Sequence, residues 1–173
     1  MMAGRTTRTF LALLAVAALA FTAVAAAKTI RGNGRDNLLE GTSSKDKIFG
    51  KAGDDRIFGG DGSDRVSAGP GDDLVNGEDG NDTVKGAEGY DSLHTGPGND
   101  EIKGSGGIDE ITGDDDRDRL QGGPGIDDLE GGDGDDVIIA SGDGSPDEVQ
   151  CGQGRDRAVV DAGDLVLDCE RVE

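Results

Sequence analysis

Residues 59–85 read GGDGSDRVS-AGPGDDLVN-GEDGNDTVK, three nonapeptides with one skeleton. Stepping by nine from Asp46 lands on aspartate eleven times in succession: Asp46, Asp55, Asp64, Asp73, Asp82, Asp91, Asp100, Asp109, Asp118, Asp127 and Asp136. Two residues after each stands an aliphatic side chain: Ile48, Ile57, Val66, Val75, Val84, Leu93, Ile102, Ile111, Leu120, Leu129 and Ile138. Ile, Leu and Val are only 26 of the 146 residues from Lys28 onward, so composition does not produce this phase. Two residues before each aspartate the rule is glycine, broken only by Ser44 and Asp116. The unit is G-G-x-G-x-D-x-(Ile/Leu/Val)-x. Weaker copies flank the run at Asp36, ten residues before Asp46, and at Asp147 and Asp156 after it.

The unit has a physical reading. Glycines let the backbone take positive φ and turn tightly. The x-(Ile/Leu/Val)-x triplet suits a short strand with one inward side chain. Two turns and two strands bring the chain round in 18 residues, and successive rounds stack as parallel strands about 4.8 Å apart. Aspartates 18 apart then form two columns. Asp46, Asp64, Asp82, Asp100, Asp118 and Asp136 make one, and Asp55, Asp73, Asp91, Asp109 and Asp127 the other. Stacked carboxylates repel unless a cation sits among them. Carboxylate and turn carbonyl oxygens are hard donors at irregular geometry, which suits Ca2+ better than Mg2+ or a transition metal. One ion between successive members of each column predicts about nine ions in the strict run.

The unit resembles the calcium-binding nonapeptide of the RTX (repeats-in-toxin, haemolysin-type) family, over roughly residues 31–159. The resemblance implies an all-β fold, a right-handed parallel β-roll (a β-solenoid). In it the sixth-position aspartate is the side-chain calcium ligand and the eighth-position aliphatic faces the interior. Those roles fall on the residues above, with Asp36, Asp147 and Asp156 added from the weaker copies. Ser44 and Asp116 depart from the family pattern. Family toxins and enzymes also carry a large further domain, whereas here the repeat module is expected to be the whole exported protein.

The ends read differently. Arg5 and Arg8 precede an apolar run over residues 10–24, then Ala25, Ala26 and Ala27. This pattern predicts a secretory signal peptide over 1–27, helical and cleaved after Ala27, hence a secreted protein with no membrane insertion after cleavage. The roll is expected over 28–159, with Thr29 and Ile30 as a short first strand, and a capping half-turn over 160–173. Cys151 and Cys169 bracket that tail, and two cysteines in an exported chain predict a disulfide.

The 173 residues hold 37 acidic and 17 basic side chains, a net charge of -20. From Lys28 onward the balance is 37 against 15, or -22. Such charge argues against nucleic acid and anionic lipid as partners and for cations. Pairs such as Asp54-Asp55 recur with the repeat, as a catalytic site does not, and the lone His94 reads as a solvated residue. The function expected is therefore a non-enzymatic calcium-binding protein. The alternative is a calcium-dependent adhesin or a module binding a cell surface or glycan. Ice binding would need a threonine row, and the ninth positions (Phe49, Phe58, Ser67, Asn76, Lys85, His94, Lys103, Thr112) provide none.

Overall fold

The structure is a computed structural model that describes residues 26–173. The predicted signal segment lies outside the described residues, except for Ala26 and Ala27. The described chain forms 17 strands, from β1 (Thr29–Arg31) to β17 (Arg171–Val172), all joined in parallel. Odd-numbered strands make one sheet of nine and even-numbered strands one of eight. Each strand thus pairs with the next but one, and the chain winds between two facing sheets as a β-roll. No helix occurs among the described residues.

The register is the repeat made visible. Ile48 pairs with Val66, and Val66 with Val84, each 18 residues on. All eleven predicted aliphatics are buried, none more than 1% exposed. Leu39, Val149 and Ala158 extend their two rows, and Ile30 and Val166 pack against the ends. Full burial of such a side chain stabilises by roughly 2 kcal/mol, but the roll has only one per nine residues. The core is a thin double file between the sheets.

The strands begin where the aspartate ends. Positions seven to nine of a unit show an exposed, buried, half-buried pattern, as in Arg56–Phe58. Period-two alternation continues on both sides. It carries the sixth-position aspartate inward before the aliphatic, and the first residue of the next unit inward after it. Phe49 and Phe58 are half-buried in the first rungs, and the Arg31 guanidinium lies 5.2 Å from the Phe49 ring centre.

The tail departs from the expected half-turn. β16 (Leu165–Leu167) pairs with β14 (Glu148–Gly154), and β17 pairs with β15 (Arg157–Val160). The last residues therefore add a whole further rung, one strand to each sheet. The step lengthens from 18 to 20 where extra residues enter before Asp147, as in Leu129 opposite Val149, then shortens to 17 and 14. A disulfide joins Cys151 of β14 to Cys169, between β16 and β17, and so ties the last rung to the one before it, with Cα atoms 5.1 Å apart and Cys151 fully buried.

Candidate metal centre

Burying a carboxylate is costly unless its oxygens are satisfied, so each oxygen must be accounted for. The two oxygens of each aspartate do different things. Oδ1 accepts the backbone N–H of the equivalent residue one turn earlier. Asp64 Oδ1 takes Asp46 N at 2.6 Å, Asp82 Oδ1 takes Asp64 N at 2.8 Å, and Asp73 Oδ1 takes Asp55 N at 2.7 Å. The bond recurs up both columns and ties rung to rung. Oδ2 is left over. In Asp55, Asp64, Asp73, Asp82, Asp91, Asp100, Asp109, Asp118, Asp127, Asp136, Asp147 and Asp156 it is buried with no hydrogen-bond partner.

The first glycine of the unit shows where Oδ2 points. A Cβ on Gly50 would lie 2.3 Å from Asp55 Oδ2 and 2.5 Å from the Ala68 carbonyl oxygen. On Gly113 it would lie 2.4 Å from Asp118 Oδ2 and 2.7 Å from the Gly131 carbonyl oxygen. A carboxylate oxygen of one turn and a carbonyl oxygen of the next thus converge on one small space, kept open by the missing side chain. Among the described residues no three His, Cys, Asp or Glu side chains gather as a metal cluster. A cation here takes its ligands from carboxylates and main-chain carbonyls together, a set that fits Ca2+.

Electrostatics agree. Without a cation, burial raises the carboxyls of Asp73, Asp82, Asp109, Asp118 and Asp136 above the usual aspartate range, and neighbouring aspartates in the column add to it. The backbone N–H bonded to each pulls the other way. These groups resist ionisation unless positive charge joins them.

The predicted site residues divide as follows. The eleven of the strict run, with Asp147 and Asp156, are all buried in the two columns. Asp36 is not, which corrects that assignment. It is exposed and accepts Asp54 N at 3.1 Å, so it holds the fifth position of its unit. The column place belongs to Asn37, whose N–H donates to Asp55 Oδ1 at 2.8 Å, and the buried aliphatic is Leu39 rather than Leu38. At the other end Asp164 Oδ1 accepts Asp147 N, and Glu170 Oε2 accepts Asp156 N at 2.8 Å. Glu170 sits outside the repeat phase; its longer side chain reaches back from a shortened last turn.

The turns are not equivalent. Asp46 Oδ2 is already taken by Thr42 N–H at 2.6 Å, in the unit where Ser44 replaces glycine. Asp116 keeps the glycine conformation at φ 77°, which aspartate tolerates better than most residues. Ala68, Thr95, Ala140 and Cys151 put a side chain where most turns have glycine, and the Thr95 hydroxyl donates to Gly113 O, one turn on, at 3.3 Å. His94 Nε2 lies 2.8 Å from Asp114 Oδ2 on the surface, away from the columns.

Two facing parallel sheets, with inward carboxylates set against turn carbonyls along both columns, define a calcium-binding β-roll. The family model of the RTX calcium-binding nonapeptide repeat matches in four copies, over residues 31–66, 58–93, 94–129 and 112–144. The chain belongs to that family. No curated protein matches it.

Proposed function

We propose that this is a secreted, non-enzymatic calcium-binding protein whose roll forms as calcium binds outside the cell. The observation that carries the reading is the file of buried Oδ2 atoms without donors. An interior that leaves so many acceptors unpaired is costly as it stands. Bound calcium supplies positive charge and accepts these oxygens as ligands. The ligands we assign are Asp55, Asp64, Asp73, Asp82, Asp91, Asp100, Asp109, Asp118, Asp127, Asp136, Asp147 and Asp156, whose Oδ2 has no donor, and Asp46, whose Oδ2 also accepts Thr42 N–H, with about nine ions in the strict run. The chain's own part is to hold each Oδ2 opposite the carbonyl of the next turn. It does so with the Oδ1 bond, and keeps the space clear with a first-position glycine.

We further propose a cleaved leader over 1–27, a roll over 28–159 and a closing rung over 160–173. Isothermal calorimetry of the purified chain with CaCl2 tests the reading, with mass spectrometry of the exported form for cleavage. Several calcium ions bound per chain, and a mass starting at Lys28, are expected. A single weak site would refute the columns, and an intact N-terminus in the medium would refute cleavage.

A further inference from the structure

The fifth position of the unit, just before the column aspartate, has a structural task at several steps of the roll. Its side chain caps the backbone N–H of the same position one turn on. Asp54 Oδ1 accepts Asp72 N at 3.0 Å, Asp72 Oδ1 accepts Tyr90 N at 2.8 Å, and Asn81 Oδ1 accepts Asn99 N at 3.1 Å. In the column of Asp91, Asp109 and Asp127 this ladder changes character. Its fifth positions become Tyr90, Ile108 and Ile126, followed by Pro146. None of the last three side chains can cap an N–H. Tyr90, Ile108 and Ile126 are about half exposed, at 49%, 53% and 52%. Neither capping nor core packing accounts for them.

Single exposed apolar residues are ordinary, but here they stack on successive rungs as one ridge. The ridge borders a groove of about 510 Å³. Along the groove runs an acidic file, with Glu110 opposite Asp128 and Asp128 opposite Glu148. Leu165, half exposed, closes it. We propose that this groove docks a cationic amphipathic helix of a protein partner.

Charge selects the sign. Lysine or arginine on the partner would meet Glu110, Asp128 and Glu148, whereas a second copy of this chain would bring acid against acid. Pitch selects the helix. The ridge advances about 4.8 Å per rung. An apolar helix stripe advances about 5.4 Å per turn, and one face of an extended strand about 6.8 Å per repeat. Over three steps a helix slips by about 2 Å and a strand by about 6 Å.

The test uses the full exported chain in millimolar CaCl2 and a synthetic Leu/Lys peptide of about 14 residues, leucine on one helical face. Its Leu/Glu counterpart and an alternating, strand-forming Leu/Lys peptide serve as comparisons. Titration calorimetry should show binding of the helical Leu/Lys peptide and not of Leu/Glu. The double variant Ile108→Asn, Ile126→Asn keeps every charge and restores the Asn81-type cap, and circular dichroism checks that it folds. It should weaken binding at least about tenfold. Glu110→Gln with Glu148→Gln should weaken it further than Asp133→Asn with Asp135→Asn, which removes the same charge elsewhere. Equal binding by the isoleucine variant, no binding by the wild type, or tighter binding of the strand-forming peptide overturns the proposal. So does a dimer of the wild type that the variant abolishes, which would assign the ridge to a second copy.

Discussion

The backbone N–H of Asp73 donates to Oδ1 of Asp91, one turn further along, at 3.0 Å, while Oδ2 of Asp91 stays buried without a partner. One carboxylate thus ties two rungs and offers an oxygen to a cation. Asparagine can keep the first role and lose the anionic second, and Asn37 already stands in such a column place.

Asp91→Asn should therefore lower the number of bound calcium ions by about one or two while the calcium-loaded fold persists. Asp79→Asn changes an exposed third-position residue and should alter neither. Calorimetry on both proteins separates them. Equal losses would mean that the phase of the ligands is misassigned.

The first-position glycine makes a second, paired test. A Cβ on Gly104 would sit 2.1 Å from Asp109 Oδ2, so Gly104→Ala should weaken calcium binding and destabilise the loaded roll. Overpacking of this kind costs about 1–3 kcal/mol. Ala68→Gly opens the corresponding space beside Asp73 and should strengthen calcium binding. Calcium midpoints and melting temperatures of the two variants should move in opposite directions; movement in the same direction would count against the cradle.

The middle of the roll was legible because two signals, aspartate and aliphatic, repeat together every nine residues and fix one phase. At the start the signals are ambiguous. Asp36 and Asn37 are adjacent, as are Leu38 and Leu39, so either phase reads equally well. The bond from Asn37 N to Asp55 Oδ1 decides it. Glu170 was hidden because its rung pairs at a step of 14 rather than 18. The first-position glycine was visible as a pattern, but its reason was not. That reason is the carboxylate five residues later, together with a carbonyl from the next turn. Likewise Tyr90, Ile108 and Ile126 become a ridge only once the 18-residue stacking sets them side by side.

The Cys151–Cys169 bond closes a separation of 18 residues and ties the last rung to β14. By loop entropy such a link contributes about 3 kcal/mol. Reduction, or Cys151→Ala with Cys169→Ala, should raise the calcium concentration needed for folding without abolishing the loaded fold. A calcium midpoint unchanged on reduction would show that the last rung does not limit stability.

The buried aspartates set a pH dependence. Without a cation, burial lifts Asp73, Asp91 and Asp136 to about 6, Asp82 and Asp109 to about 7 and Asp118 to about 8, from 3.8. The folded chain then binds more protons than the unfolded chain between those values. This stabilisation is full below about pH 4 and is lost as pH rises through about 6 to 8. Residual β-structure in chelator should be greatest at acidic pH and fall towards pH 8. Protons also compete for the same oxygens, so the calcium midpoint should rise on acidification. Circular dichroism in chelator and in calcium, across that range, checks both; β-structure that grows with pH in chelator would contradict the assignment.

The last prediction is that, at neutral pH, the chain from Lys28 onward is largely unfolded in chelator and folds on calcium. Its core is one aliphatic side chain per nine residues, too thin a file to balance the ordering of so many residues. The 32 glycines in the whole chain widen the unfolded ensemble further. Twelve buried carboxylate oxygens lack donors, and a net charge of -22 from Lys28 onward repels itself in the compact state. A cation held between two stacked turns relieves the last two of these terms, the unpaired oxygens and the self-repulsion. Such a place exists only when both turns are formed, so binding free energy becomes folding free energy. Because neighbouring places share a rung, forming one prepares the next, and the transition should be cooperative in calcium. Under the proposed export, calcium outside the cell would fold the chain, while a loose chain suits translocation. Far-UV circular dichroism in excess chelator should report disorder, and millimolar CaCl2 should produce a β-rich spectrum along a sigmoidal titration. A β-rich spectrum already present in chelator at neutral pH, and unmoved by calcium, would mean that hydrogen bonds and the aliphatic files hold the roll without the ion.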